Sequence, residues 1–197
     1  MMFKLGLTGS IGMGKSTTAQ MFAEQGCALW DADAAVHRLY CVGGAAVDPI
    51  ARAFPDAIEN NAVSRARLKE IIAADRDALQ IIETIVHPLV AKDRENFMEN
   101  CEADICVFDI PLLFETGGDA AMDAVVCVTV TPELQRKRVL ERGTMSEAQF
   151  DAIREKQLPD SIKRGRADFV IETDTLEHAR EQVQAVLAEI RKKTRHA

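Results

Sequence analysis

"GLTGSIGMGKST", residues 6–17, puts four glycines and a closing Lys-Ser-Thr into twelve positions directly after the apolar start FKL. Within it, Gly9-Ser10-Ile11-Gly12-Met13-Gly14-Lys15-Ser16 fits the pattern G-x-x-x-x-G-K-[ST]. The pattern carries meaning only between a strand and a helix, and here the apolar run FKLGLT (3–8) precedes it and a helical stretch (15–25) follows. Glycines let the chain turn its N–H groups inward around a phosphate, and the helix that follows adds its positive end. Lys15 would then reach the β and γ phosphates of a nucleotide while Ser16 ligates Mg²⁺. The alternative is a glycine-rich strand-to-helix turn without a ligand; at ordinary glycine frequency a chance match in a chain this long arises about 1% of the time.

Working outward, short continuous apolar runs recur at 27–30 (CALW), 103–110 (ADICVFDI), 123–130 (DAVVCVTV) and 168–173 (DFVIET). Runs of this kind suit strands covered on both faces of a parallel sheet. The gaps hold the helices that parallel crossovers require, at 15–25, from Pro132 to 142, and from about 175 to 193. The expected fold is α/β, a P-loop NTPase-type parallel five-stranded sheet flanked by helices. The nucleotide-binding core would comprise 1–32, 101–142 and 168–197. Residues 33–100 show no strand-like run, only helical pieces such as SRARLKEIIAADRDALQIIETIV (64–86) and PLVAKDRENFMEN (88–100), and read as a helical insertion. The stretch GTMSEAQFDAIREKQLPDSIKRGRA (143–167), rich in charge and poor in large apolar groups, reads as a lid, because an element that buries little opens cheaply.

The bulk properties narrow the classes. The 197 residues suit one domain with an inserted part, and 47% hydrophobic residues suffice for a core. A formal net charge of −7 offers no basic footprint for an extended nucleic-acid partner. Five scattered cysteines without a C-x-x-C pair fit reduced thiols, and no run approaches the ~20 apolar residues of a membrane span. The expectation is a cytoplasmic protein with no nucleic-acid or membrane partner, a monomer or a weak homo-oligomer.

Two further elements follow strand ends, where open α/β sheets place functional loops. DADAAVHRLY begins at Asp31, and a carboxylate there could accept a proton from an acceptor hydroxyl, help hold Mg²⁺, or cap the next helix. VFDIPLLFE ends its strand at Asp109, a candidate Mg²⁺ partner, and PLLF could equally be core packing.

Taken together, GLTGSIGMGKST, DADAAVHRLY, IVHPLV (85–90), FDIPLLFE (108–115) and EKQLPDSIKRGRADFVIE (155–172) resemble the dephospho-coenzyme A kinase family, in that family's order. The resemblance implies ATP-dependent phosphorylation of the ribose 3′-hydroxyl of dephospho-coenzyme A, the last step of coenzyme A synthesis. It implies that Asp33, Lys15 and Arg142 are catalytic: Asp33 as general base, Arg142 as the lid arginine on the transferring phosphoryl. ATP would be held by Gly9, Ile11, Gly12, Met13, Gly14, Lys15, Ser16 and Thr17, with Arg138 one helical turn before Arg142 as a helper. Asp33, His37, Arg65, His87, Pro88, Pro111 and Leu112 would meet the acceptor, residues 33–100 would bind it, and Ser16 and Asp109 would hold Mg²⁺.

Plainer roles exist for several of these. Pro88 would fit the first position of a helix, His87 a surface site, and Lys163, Arg164 and Arg166 a solvated face. Arg138 and Arg142 also suit a helix C-terminus electrostatically. Thr173 stands where the family commonly has Asn. Another small-molecule P-loop kinase, with a nucleotide or sugar acceptor, and a nucleotide-gated switch are the competing readings; no guanine-reading N-K-x-D stretch occurs.

Overall fold

The computed structural model describes residues 2–194. Its main sheet contains β1 (Phe3–Thr8), β2 (Ala28–Asp31), β5 (Ile105–Asp109), β6 (Ala124–Thr129) and β7 (Phe169–Glu172), in the order β2-β5-β1-β6-β7. β1 pairs in parallel with β5 (Leu7 opposite Asp109) and with β6 (Thr8 opposite Cys127), and β6 pairs in parallel with β7. The chain is thus an α/β protein with a five-stranded parallel sheet flanked by helices. β5 and β6 are buried along their whole length, which explains why their sequences show no polar alternation.

Two compact units make up the chain: one runs to Trp30 and resumes at Glu102, and the other is Asp31–Cys101. In the first, α1 (Lys15–Glu24) and α9 (Leu176–Thr194) bury Ala19, Met21, Phe22, Val183, Leu187 and Ile190 in one core with Leu5, Leu7, Val126 and Val128 of the sheet. α6 (Pro132–Glu141) starts on a Thr131 cap and Pro132, as its sequence directs. α7 (Glu147–Lys156) opens with a reciprocal Ser146–Gln149 capping box, and α8 (Asp160–Arg166) follows three residues later.

The second unit holds α2 (Ala32–Tyr40), α3 (Val47–Ala53), α4 (Arg65–Ala74) and α5 (Ala78–Glu99) around Leu39, Ile50, Leu68, Ile82 and Val86. Two expectations need correction here. The unit is not helical throughout: β3 (Ile58–Glu59) and β4 (Ala62–Val63) form a small antiparallel hairpin. Its two-residue turn, Asn60-Asn61, has both φ angles positive (51° and 60°), the geometry that suits strand twist and that Asn tolerates. Pro88 is not at a helix start but inside the 22-residue α5. It removes one N–H from the ladder, yet both it and Thr84, whose carbonyl loses that donor, are on the exposed side, where water can serve instead. Meanwhile Ile82 and Val86 stay buried, with Ile85, Leu89 and Val90 packed against the same core.

Candidate functional site

The glycine-rich loop leaves β1 and enters α1 at Lys15. Gly12 (φ 78°) and Gly14 (φ 88°) both take the left-handed conformation, and an added Cβ would collide: at Gly12 with Val139 Cγ2 (2.5 Å), at Gly14 with Thr173 Oγ1 (2.9 Å). Gly9 has no room either, since a Cβ would lie 2.3 Å from Val128 Cγ2. Ser10 and Met13 are buried between these glycines, while the Ser16 and Thr17 side chains at the start of α1 are exposed.

Lys15 forms an ion pair with Asp109 at the end of β5, which is nearly inaccessible at 2% exposure. Ser16 and Asp109 offer oxygen ligands only, the donor chemistry of Mg²⁺, which keeps several waters and uses one or two protein oxygens alongside phosphates. Among the described residues no group of three His, Cys, Asp or Glu could enclose a metal by itself. The residues present therefore fit a phosphate-bound Mg²⁺.

Behind the loop lies a cleft of about 370 Å³ lined by Gly14, Thr17, Arg138, Arg142, Thr173 and Leu176. Arg142, the exposed last residue of the α6 region, caps that helix. Arg138 is committed elsewhere: it donates to the Thr173 carbonyl (2.5 Å) and hydroxyl (3.0 Å), and more distantly to the Asp174 carbonyl. The Thr173 hydroxyl in turn donates to the Met13 carbonyl at 2.8 Å. Thr173 thus ties β7, α6 and the loop together.

A larger cleft of about 960 Å³ flanks the other side of the loop, with Ser10, Met13, Gln135, Gln157, Asp160 and Arg164 in its wall. The charged 143–167 stretch beside it is not as lightly buried as its composition suggests. Phe150 and Lys163 are fully buried, so Lys163 is no part of a solvated face. Lys163 Nζ lies 2.8 Å from Glu115 Oε1, which also accepts from the Leu158 N–H at 2.9 Å. Burial pushes the Glu115 carboxyl up, but Lys163 and the backbone donors outweigh it and hold it below the usual carboxylate range. Arg166 pairs with Asp119 and stacks over Phe114. Burial also drives the thiols of Cys27 and Cys127 up, to about 11 and about 12, which makes them inert core groups.

PLLF divides by residue. Leu113 and Phe114 are core, whereas Leu112 is 42% exposed and the Pro111 carbonyl accepts from Thr8.

In the second unit, the two acids of DAD separate. Asp31 is the cap of α2, accepting from the Ala34 N–H at 2.9 Å. Asp33, in the first turn, is exposed and has no hydrogen bond or ion pair among the described residues. The His37 ring lies against the Cys41 thiol one turn on, Arg65 lies over the Tyr40 ring, and His87 and Pro88 are exposed on α5. Arg38 is engaged with Asp93 at 2.6 Å.

Sequence reasoning missed Gln135, Gln157, Glu115 and Thr173 as partners of the loop and its surroundings. Their motif positions, QLP and LLFE among them, were visible, but nothing in their spacing showed which main-chain atoms they meet.

A parallel sheet, a glycine loop opening a helix, and a lysine at its first position define a P-loop phosphotransferase fold. The profile of the dephospho-CoA kinase family matches residues 3–178. A dephospho-CoA kinase of Ruegeria pomeroyi is 66% identical over 197 residues, covering all of both chains. Among solved structures, TT1252 from Thermus thermophilus superposes with TM-score 0.85 at 31% identity, over 95% of this chain and 97% of that one. A dephospho-CoA kinase from Campylobacter jejuni, with TM-score 0.72 at 24% identity over 98% and 100%, shares the fold. The chain belongs to the dephospho-CoA kinase family, and it is a kinase.

Proposed function

We propose that this kinase moves the γ-phosphoryl group of ATP to the ribose 3′-hydroxyl of dephospho-coenzyme A, giving coenzyme A and ADP. The observation that carries this reading is the loop itself, with two left-handed glycines and Lys15 at the head of α1. Phosphoryl transfer asks mainly for positioning and charge neutralisation, and the residues divide that work. The amides from Gly12 to Thr17 hold the phosphates, and Lys15 exchanges Asp109 for a phosphate oxygen. The cleft lined by Gly14, Thr17, Arg142 and Leu176 takes the adenosine end, and Arg142 offsets charge on the transferring group.

Ser16 and Asp109 would hold Mg²⁺, which would supply charge neutralisation for the phosphoryl transfer. Asp33 accepts the proton of the 3′-hydroxyl, a role that suits an exposed carboxylate with no capping duty. His37, Arg65, His87, Pro88, Pro111 and Leu112 contact the acceptor. Arg138 acts indirectly, by fixing the Thr173 turn. Lid motion of 143–167 is opposed both by Phe150, buried in α7, and by the Lys163–Glu115 pair of α8. The enzyme works in the cytoplasm.

A coupled ADP-release assay with ATP, Mg²⁺ and dephospho-coenzyme A, with mass spectrometry locating the new phosphate, tests the reading. Stimulation by dephospho-coenzyme A and not by nucleoside monophosphates or sugars is the expected result. ADP release that ignores every acceptor would favour a nucleotide switch.

A further inference from the structure

Ile11 is held from two sides. Its N–H donates to Gln157 Oε1 at 3.1 Å, and its carbonyl accepts from Gln135 Nε2 at 2.7 Å. Gln135 lies in the first turn of α6 and is 96% buried by its 4% exposure, while Gln157 follows α7. A backbone N–H needs an acceptor and a carbonyl needs a donor, so the orientation of each carboxamide is set by its partner.

The consequence comes from peptide planarity. In a trans peptide the C=O and the next N–H point in opposite directions. Gln135, by holding the Ile11 carbonyl, therefore aims the Gly12 N–H the other way. Gln157, by holding the Ile11 N–H, turns the Ser10 carbonyl away from itself, and that carbonyl accepts from the Met13 N–H at 3.1 Å. Two neutral side chains thus fix both peptide planes that flank Ile11 and close the Ser10–Met13 turn. Glycine leaves the backbone more freedom than any other residue, the loop holds Gly9, Gly12 and Gly14, and each fixed plane removes part of that freedom before a ligand arrives. Gln157 is itself steadied, because the next residue's N–H is bound to Glu115, which also holds Lys163.

We propose that Gln135 and Gln157 are positioning residues that preorganise the phosphate loop by clamping the two peptides around Ile11. The inference rests on the reading of that loop as the ATP-phosphate site. A carboxylate at either position would put negative charge beside the phosphates, and a methionine would keep the length while losing the hydrogen bond.

The test uses Gln157→Met and Gln135→Met in the full chain. ATP affinity is read twice: by acceptor-free titration with a fluorescent ATP analogue, and as KM for ATP in the ADP-release assay. Each variant should weaken ATP by about tenfold, the size of one lost hydrogen bond to a constrained group, with KM for dephospho-coenzyme A within about twofold of wild type. ATP affinity unchanged in Gln157→Met overturns the proposal, and so does an equal rise in both KM values, which marks general loosening. Gln157 is only half-buried, so its variant decides the matter if Gln135→Met fails to fold. Wild-type protein that binds the analogue yet leaves dephospho-coenzyme A unmodified would sink the functional reading while leaving this one intact.

Discussion

Around the phosphate loop, Gln135, Arg138, Thr173 and Asp109 all have partners inside the fold; in the Asp31–Cys101 unit, Asp33 and His87 face solvent with no hydrogen-bond partner among the described residues. The two regions differ in what their polar side chains do for the fold. Close to the loop, each polar side chain sets the geometry of another, so a substitution there disturbs packing and binding at once. An exposed carboxylate such as Asp33 holds up nothing, so its loss should register only in chemistry. Separating these two kinds of residue is what the following experiments do.

The sharpest break should come from Gly14→Ala. The added methyl meets Thr173 at 2.9 Å in a backbone region that disfavours side chains, so loop, Thr173 and Arg138 shift together. We expect turnover lost by about a thousandfold or more and a lower melting temperature, the result that follows if the loop amides supply the electrostatic stabilisation proposed for them. Activity near wild type would mean that the loop tolerates a different shape.

Next, Asp33→Asn should lower kcat by about a hundredfold or more, the usual contribution of a general base, while the urea midpoint stays put. Its neighbour gives the control. Asp31→Ala removes the α2 cap and should cost about 1 kcal/mol of stability. If the two variants exchanged phenotypes, the division of labour between the two acids would be reversed.

Glu115→Gln probes the committed region through pH. Because the native Glu115 carboxyl titrates below its ordinary range, its stabilising contribution is complete at neutral pH and declines as pH falls through the native value. At neutral pH the variant leaves Lys163 buried without a counter-charge, a loss of about 3 kcal/mol. The gap between wild type and variant should narrow on acidification, as wild-type Glu115 protonates. A gap that stays constant between neutral and strongly acid pH, measured by denaturant melts, would show that the ion pair does not support this region. The smallest effect belongs to His178→Ala. The Asp174–His178 pair is exposed at both ends and screened by solvent, so its removal should leave the urea midpoint where it is in wild type.

Much of this was legible from residues in a row. β5 and β6 show as apolar runs because strands buried on both faces need no polar alternation, whereas β7, with Val170 and Glu172 exposed, shows through its run of Phe, Val and Ile alone. The loop shows because left-handed backbone and close approach admit only glycine at Gly12 and Gly14. Elements with weak local signals were not legible. β3 and β4 are two residues each, too short for any period, and only the Asn60-Asn61 pair hinted at a turn. Pro88 reads as a helix start, because its cost in mid-helix is offset by apolar contacts that only the packed unit supplies. Lys163 reads as a surface charge, since Glu115, 48 positions away, is what allows its burial.

The sequence alone determined the α/β class, the phosphate loop and the set of acidic and basic residues available to it. These depend on local backbone preference and on solvent exclusion averaged over a segment, and both are written in consecutive residues. Tertiary structure decided which of two acids caps α2, where Arg138 spends its donors, and how Gln135 and Gln157 grip Ile11. The Asp31 cap joins residues three positions apart, but the Arg138 bonds span 35 positions and the two grips on Ile11 span 124 and 146, and such contacts exist only once the chain has folded.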